Sequence, residues 1–249
     1  MPLLAMLYAL AAYTFSLATF VGAIGFVGDL PGWPRTIDSG TTAPLAEALL
    51  VNLALLGLFA VQHSVMARRG FKRWWTHVVP EPMERATFVA AASAMLALLL
   101  WQWRAIPAPV LWSVRDPAGR LALQAVFWTG WGVLLVSTWL IDHFELFGLR
   151  QPWARLRRQQ IPAPVFRTPL FYRHVRHPIY VGFLLAFWAT PRMTAGHALF
   201  AAASTGYILL GIWFEERDLV AQFGQRYLAY RRQVGMLLPK LRRGGGEPS

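Results

Sequence analysis

Between Tyr172 and Pro239 the chain gathers residue types that reaction chemistry uses. This stretch opens with Tyr172-Arg173-His174-Val175-Arg176-His177-Pro178-Ile179-Tyr180-Val181-Gly182. After an apolar interruption it continues with Glu215-Glu216-Arg217-Asp218-Leu219, Phe223-Gly224, Tyr227 and Tyr230. Pro178 stands where it can open a helix, because the first helical amide has no partner to lose. His177 and Tyr180, three residues apart, can then share one helical face. Gly182 lets a second backbone or a flat ligand come close. Glu215 and Glu216 follow an apolar run, at the helix end whose dipole disfavours anions. Carboxylates at that boundary are accounted for if they meet a cation. Salt bridges to nearby arginines and a cationic ligand both remain open as that partner.

The elements that must position these groups read as membrane helices. Of 249 residues 56% are apolar and only 14% charged, against about 25% charged in soluble domains. Four apolar segments, from about Leu3 to Val27, Pro44 to Met66, Ala86 to Trp103 and Leu121 to Phe144, each approach the ~20 residues that cross a bilayer. The first is too long for a signal peptide and lacks its basic start, so it reads as a retained helix. Tyr180 to Thr190 is apolar but short, Pro191-Arg192-Met193-Thr194 breaks it, and a second run covers Ala195 to Phe214. This spacing predicts a tight helical hairpin with Thr194 capping its second arm. Whether the first arm crosses fully or re-enters is open at this point. The fold expected is all-α: a polytopic membrane helical bundle of five or six transmembrane segments, the last two a hairpin. Sheet is disfavoured, since lipid cannot satisfy an open strand edge.

Charge placement sets an orientation. The net charge of +12 comes without a nucleic-acid motif, so no nucleic-acid partner is expected. Arginine and lysine concentrate in 67–85, in 145–177 and in the tail after Glu216. By the positive-inside rule these segments and both termini face the cytoplasm and can meet anionic lipid headgroups. Trp74, Trp75, Trp101, Trp103, Trp112 and Trp153 are expected as interfacial anchors, and His77 and His197 as ordinary interface residues. No cysteine is present, which excludes disulfides, thiolate metal sites and a cysteine nucleophile. The histidines lack metal-ligand spacing, and no metal is expected. Residues 1–243 read as one membrane domain and 244–249 as a disordered tail.

The order His177-Pro178-x-Tyr180-x-Gly182, a hairpin, Glu215-Glu216-x-x-Leu219 and Phe223-Gly224-x-x-Tyr227-x-x-Tyr230 resembles the isoprenylcysteine carboxyl methyltransferase family of membrane enzymes. The resemblance implies a site for S-adenosylmethionine in about 160–239, formed by cytoplasmic loops and the C-terminal helix. The contacts it implies are Tyr172, His177, Pro178, Ile179, Tyr180 and Glu215, with Gly182 and Glu216 beside them and Pro164 to Arg167 a further contacting stretch. Where eukaryotic members carry a substrate-binding arginine this chain has Gly211, a departure that speaks against a prenylated carboxylate as acceptor.

The front half narrows the resemblance. Gln62-His63-Ser64-Val65-Met66-Ala67-Arg68, Phe71-Lys72-Arg73-Trp74-Trp75-Thr76, Trp101-Gln102-Trp103-Arg104 and Asp142-His143-Phe144-Glu145-Leu146-Phe147-Gly148-Leu149-Arg150-Gln151 look like the bacterial methanethiol S-methyltransferases. That likeness implies a methyl transfer to methanethiol, giving dimethyl sulfide, in the bacterial inner membrane. A small thiol is mostly protonated at neutral pH, so a base would help. His143 and His63 are the candidates, both near cytoplasmic helix ends, with Asp142 and Glu145 placed to orient His143. A lipidic acceptor (a prenylcysteine carboxylate or a phospholipid amine) is the rival enzyme, and a transporter or accessory subunit the non-enzymatic rival.

Overall fold

The computed structural model describes residues 2–163 and 165–240. Pro164 and the proposed tail 244–249 lie outside them. The helical bundle expected from the hydropathy pattern is what forms, with five helices long and apolar enough to cross a membrane: α1 (Pro2–Val27), α2 (Leu45–Ala67), α4 (Glu81–Gln102), α5 (Pro117–Ile141) and α9 (Ala195–Phe223). Short helices follow the ends of three of them: α3 (Arg69–Trp75) after α2, α6 (His143–Leu146) and α7 (Arg150–Arg157) after α5, and α10 (Gln225–Gln233) after α9. The first arm of the predicted hairpin is α8 (Pro178–Trp188), only 11 residues long.

Small residues decide which helices meet. On α1 the buried positions are Ala5, Ala9, Ala12, Ser16, Thr19 and Ala23, a stripe that lets α4 approach, with Ala86 fully buried opposite. Between α5 and α8 the contact is glycine on glycine: a Cβ on Gly182 would stand 2.6 Å from the Gly130 carbonyl oxygen. Close backbone packing of this kind is how membrane helices associate where apolar burial offers no gain over lipid. Trp131, Phe127, Phe187 and Phe200 fill the core between them, while Leu50, Leu53 and Val61 of α2 face outward. Asp116 caps α5, its carboxylate accepting from the Gly119 amide at 2.7 Å, and Pro117 occupies the first helical turn as proline prefers.

The structure resolves the reach of the α8 arm. Its 11 helical residues rise only about 17 Å, and the residues after it carry the chain on to the loops at the far end of α1 and α4. Arg192–Thr194 (β2) pair antiparallel with Val110–Ser113 (β1) in the loop between α4 and α5. The amides of Ala195 and Gly196 then donate to the carbonyls of Pro109 and Ile106 at 2.9 Å each, and Thr194 Oγ1 donates to Asp38 in the loop after α1. The hairpin tip therefore joins the end of the bundle where those loops lie. Thr194 caps α9 as its spacing predicts, accepting from the His197 amide.

Several sequence expectations are corrected. The small ladder between β1 and β2 is the sheet that hydropathy disfavoured; it forms where loops leave the bundle, so its open edges need not meet hydrocarbon. Helices α4 and α5 begin before Ala86 and Leu121, because polar first turns extend beyond the apolar segment. Helix α9 continues to Phe223, so Glu215 and Glu216 sit about two turns inside it rather than at its end. Trp103 is 2% exposed and donates Nε1–H to the Ile37 carbonyl, which makes it core, whereas Trp74, Trp101, Trp112 and Trp153 are exposed as anchors would be. His197 is also buried, tied through Nε2 to the Phe187 carbonyl at 2.8 Å, and pins α9 to α8. His77 is exposed, with Nδ1 3.1 Å from the Trp74 carbonyl.

Candidate active site

Two adjacent glutamates on α9 have opposite surroundings. Successive helical residues point about 100° apart, so Glu216 turns toward α10 and Glu215 toward α8. Glu216 is saturated: Arg176 Nε and Nη2 each reach its Oε1 at 2.7 Å, and His177 Nε2 lies 3.2 Å from the same oxygen. Arg231 of α10 stands 3.6 Å from its other oxygen. The Glu216 side chain is 12% exposed. Glu215 has no arginine or lysine within salt-bridge distance among the described residues. Its Oε2 accepts from the Tyr180 hydroxyl at 3.0 Å and lies 3.7 Å from His177 Nδ1, and its side chain is 44% exposed.

The chain folds back on itself to build this corner. His177 occupies the position just before α8 without a side-chain capping bond, and Pro178 is the first helical residue. The Arg176 and His177 amides donate to the Gly235 and Met236 carbonyls at 2.8 and 3.2 Å, and Arg176 Nη1 donates to the Val234 carbonyl at 2.5 Å. A 3-10 turn (Leu170–Arg173) precedes it, and the Tyr230 hydroxyl of α10 donates to the Tyr172 carbonyl at 2.5 Å. Burial, with Glu215 nearby, pushes the Tyr172 phenol above its ordinary pKa, so it remains a neutral O–H donor. Phe166 packs tilted against Phe223 at 5.4 Å and edge-to-face with Tyr230 at 5.3 Å. The segment after α9 is thus bound along 172–177, and the corner holds a carboxylate, two phenols and an imidazole.

Not every residue expected here points into it. Pro178 is buried and Ile179 packs its side chain on the core. Gly182 lies against Gly130 of α5, so its missing side chain serves helix packing.

The two candidate histidines separate clearly. His143 is 3% exposed and both ring nitrogens are engaged, Nδ1 at 2.8 Å from Thr138 Oγ1 and Nε2 at 2.8 Å from Tyr13 Oη. Thr138 gives its own proton to the Leu135 carbonyl, so it accepts from Nδ1–H and leaves Nε2 to accept from Tyr13. The ring lies flat on Trp139, 4.3 Å between centroids. Asp142 and Glu145 do not orient it: Asp142 caps the Glu145 amide, and Arg150 holds both carboxylates.

His63 instead lies among aromatic rings of α2, α4 and α9. Its ring stacks on Phe59 at 5.4 Å, tilts against Phe88 at 4.9 Å and meets Tyr207 edge-on at 6.4 Å. Its Nδ1 is buried without a partner among the described residues. The Tyr207 hydroxyl is 3.1 Å from Ser64 Oγ. Tyr207, Gly211 and Glu215 are spaced by four along α9 and share one face. A Cβ on Gly211 would find only the Tyr180 hydroxyl within 4 Å, at 3.9 Å. The α9 face that meets His63 through Tyr207 thus carries Glu215 two turns further on, with a glycine between them. Tyr207 was not singled out in the sequence, although its four-residue spacing from Gly211 and Glu215 was there to read.

This arrangement fits a ligand with a cationic end. A carboxylate left without a guanidinium, in a chain of net charge +12, offers a charge-assisted hydrogen bond to an ammonium. The chain is 58% identical over 236 residues to a methanethiol S-methyltransferase of Mycobacterium tuberculosis, covering 95% of this chain and 96% of that one. It is 54% identical over 241 residues to a methanethiol S-methyltransferase of Pseudomonas deceptionensis, covering 97% of this chain and 91% of that one. A more distant likeness is to nurim of Rattus norvegicus, 30% identical across 85% of this chain and 87% of that one. No family model matches the chain, and no solved structure does. Identity of this level over nearly the whole length of both partners places the chain in the methanethiol S-methyltransferase family.

Proposed function

We propose that this protein transfers a methyl group from S-adenosylmethionine to methanethiol, giving dimethyl sulfide and S-adenosylhomocysteine, at the cytoplasmic face of a bacterial inner membrane. The observation that carries the reading is the open carboxylate of Glu215 beside a saturated Glu216. Bound S-adenosylmethionine supplies an already activated sulfonium methyl, so the protein's task is alignment and exclusion of water.

Glu215 takes the cofactor's ammonium, with the Tyr180 hydroxyl fixing the rotamer of the carboxylate. His177 and Tyr172 line the same corner, and the strap of residues 234–236 fixes Arg176 and His177 at the start of α8. On the acceptor side His63 would receive the proton of the thiol, which leaves the sulfur as the nucleophile for the donor's methyl group. His63 suits this part better than His143, because its Nδ1 has no partner among the described residues whereas both nitrogens of His143 are spent. Phe59, Phe88 and Tyr207 surround it with aromatic rings, an apolar setting that suits a small uncharged thiol. The arginine-rich ends of α2, α5 and α9 lie together at the end of the bundle that carries the corner, which supports a cytoplasmic site.

The test is direct. Protein purified in detergent and given S-adenosylmethionine and methanethiol is expected to release dimethyl sulfide into the headspace above a no-enzyme control. Cofactor binding without dimethyl sulfide, together with methylation of a prenylcysteine or phosphatidylethanolamine in parallel reactions, would overturn methanethiol as the acceptor.

A further inference from the structure

A cleft of about 490 Å³ opens between α3 and the start of α4, lined by Lys72, Arg73, Thr76, Glu81 and Glu84. None of these residues belongs to the site described above. Two cations and two carboxylates border one concavity, yet none of the four charged groups makes a hydrogen bond or an ion pair among the described residues. The Thr76 hydroxyl donates to the Arg73 carbonyl at 2.9 Å, which leaves its oxygen free to accept.

Helix dipoles account for the signs of these charges. Lys72 and Arg73 stand in the last turn of α3, and Glu81 and Glu84 in the first turn of α4, where each is favoured. The dipoles do not account for opposite charges that line one cleft and stay unbridged. Burial holds the Lys72 amine below its ordinary pKa, with Glu84 opposing the shift, so its charged form gains from a further anion.

The rings beside the cleft set its depth in the bilayer. Phe71 stacks on Trp75 at 5.6 Å, and Trp74 tilts against Trp75 at 5.7 Å and is 58% exposed. Aromatic side chains just beyond a membrane-crossing helix lie at the level of the lipid headgroups, and α3 follows directly on α2. A ligand found at that depth with an anion and a cation joined by a short linker is a zwitterionic phospholipid. A primary ammonium suits Glu81 and Glu84 better than a trimethylammonium, because only the first can donate hydrogen bonds to them. A headgroup that is anionic alone would leave the two carboxylates facing a like charge.

We infer that this cleft holds the phosphoethanolamine headgroup of a membrane lipid, its phosphate on Lys72 and Arg73 and its ammonium on Glu81 and Glu84. Methyl transfer plays no part in it.

Native mass spectrometry of the protein released from detergent, after equal additions of phosphatidylethanolamine, phosphatidylglycerol and phosphatidylcholine, reads which lipid stays bound. The wild type is expected to retain phosphatidylethanolamine about tenfold better than either competitor, the worth of one charge-assisted hydrogen bond. Lys72→Gln/Arg73→Gln should lose that retention about tenfold, while Glu81→Gln/Glu84→Gln should turn the preference toward phosphatidylglycerol. Thermal unfolding of the lipid-free proteins should place both variants close to the wild type. If either unfolds early, the lipid order of the wild type decides alone. Equal retention of the three lipids by the wild type, or a preference for phosphatidylglycerol, would overturn the assignment. So would displacement of the lipid by free phosphoethanolamine at millimolar concentration, which would make the cleft a site for a soluble ligand.

Discussion

His63 and His143 stand near the same end of the bundle, each close to the boundary of a long helix and each among aromatic rings, yet their hydrogen bonding is opposite. The His143 imidazole is closed on both sides by Tyr13 and Thr138 and covered by Trp139. That of His63 lies between Phe59 and Phe88 and has a buried nitrogen with no partner among the described residues. The same contrast recurs between Glu216, closed by two arginines and a histidine, and Glu215, held by one tyrosine hydroxyl. Closed polar groups stabilise the fold, while incompletely bonded ones are available to a ligand. Residue type alone does not distinguish the two.

The largest effect should come from the histidine pair. His63→Ala is expected to lower turnover by about 10²–10⁴, the usual worth of a positioned base, with S-adenosylhomocysteine affinity unchanged. His143→Ala should change turnover only a few-fold in protein that remains folded. If His143→Ala in stable protein abolishes turnover while His63→Ala does not, the contrast is reversed and the acceptor lies against α6.

The glutamate pair gives the next two effects. Arg176→Ala removes the main partner of a nearly buried carboxylate and should destabilise the protein by about 3 kcal/mol, read as a lower thermal midpoint in detergent. Glu215→Gln should leave that midpoint close to wild type and weaken S-adenosylhomocysteine binding about 10- to 100-fold, as expected for losing a hydrogen bond to a charged group. A Glu215→Gln protein that unfolds early yet binds normally would show that Glu215 is structural as well.

The smallest effect concerns pH. Burial holds the His143 imidazole below its ordinary pKa, with Asp142 opposing the shift and Tyr13 and Thr138 bonded to the ring. A pKa lower in the folded state than the ~6.5 of the unfolded chain means a neutral ring contributes its full stability above that value. The contribution is lost as pH falls through ~6.5 toward the folded pKa. Comparing unfolding of the wild type and His143→Gln between about pH 7.5 and 5 should show the wild type losing more on acidification, by roughly 1 kcal/mol or less. Parallel curves would mean that His143 titrates freely.

Much of this molecule was legible from composition and order. The apolar runs located the five long helices, because a bilayer admits only helices of about that length, and Pro178 and Thr194 marked helix starts through local backbone chemistry. The grouping of His177, Tyr180 and the glutamate pair was also readable, since helical spacing and a short hairpin leave few alternatives. What escaped the sequence were the partners. That Arg176 and Arg231 would neutralise Glu216 and not Glu215 depends on the strap of 234–236 folding back across 172–177. That Gly182 would lie against Gly130 depends on the face α8 turns to α5. Tyr13 and Thr138 close His143 from residues 130 and five positions away, and Tyr207 meets His63 from across the bundle. Hydropathy and local spacing act on neighbours in the chain, so the sequence by itself determined the helices, their caps and the pool of reactive groups. Hydrogen bonds are satisfied in space, and only the tertiary structure decided which of those groups were left with a bond still to make.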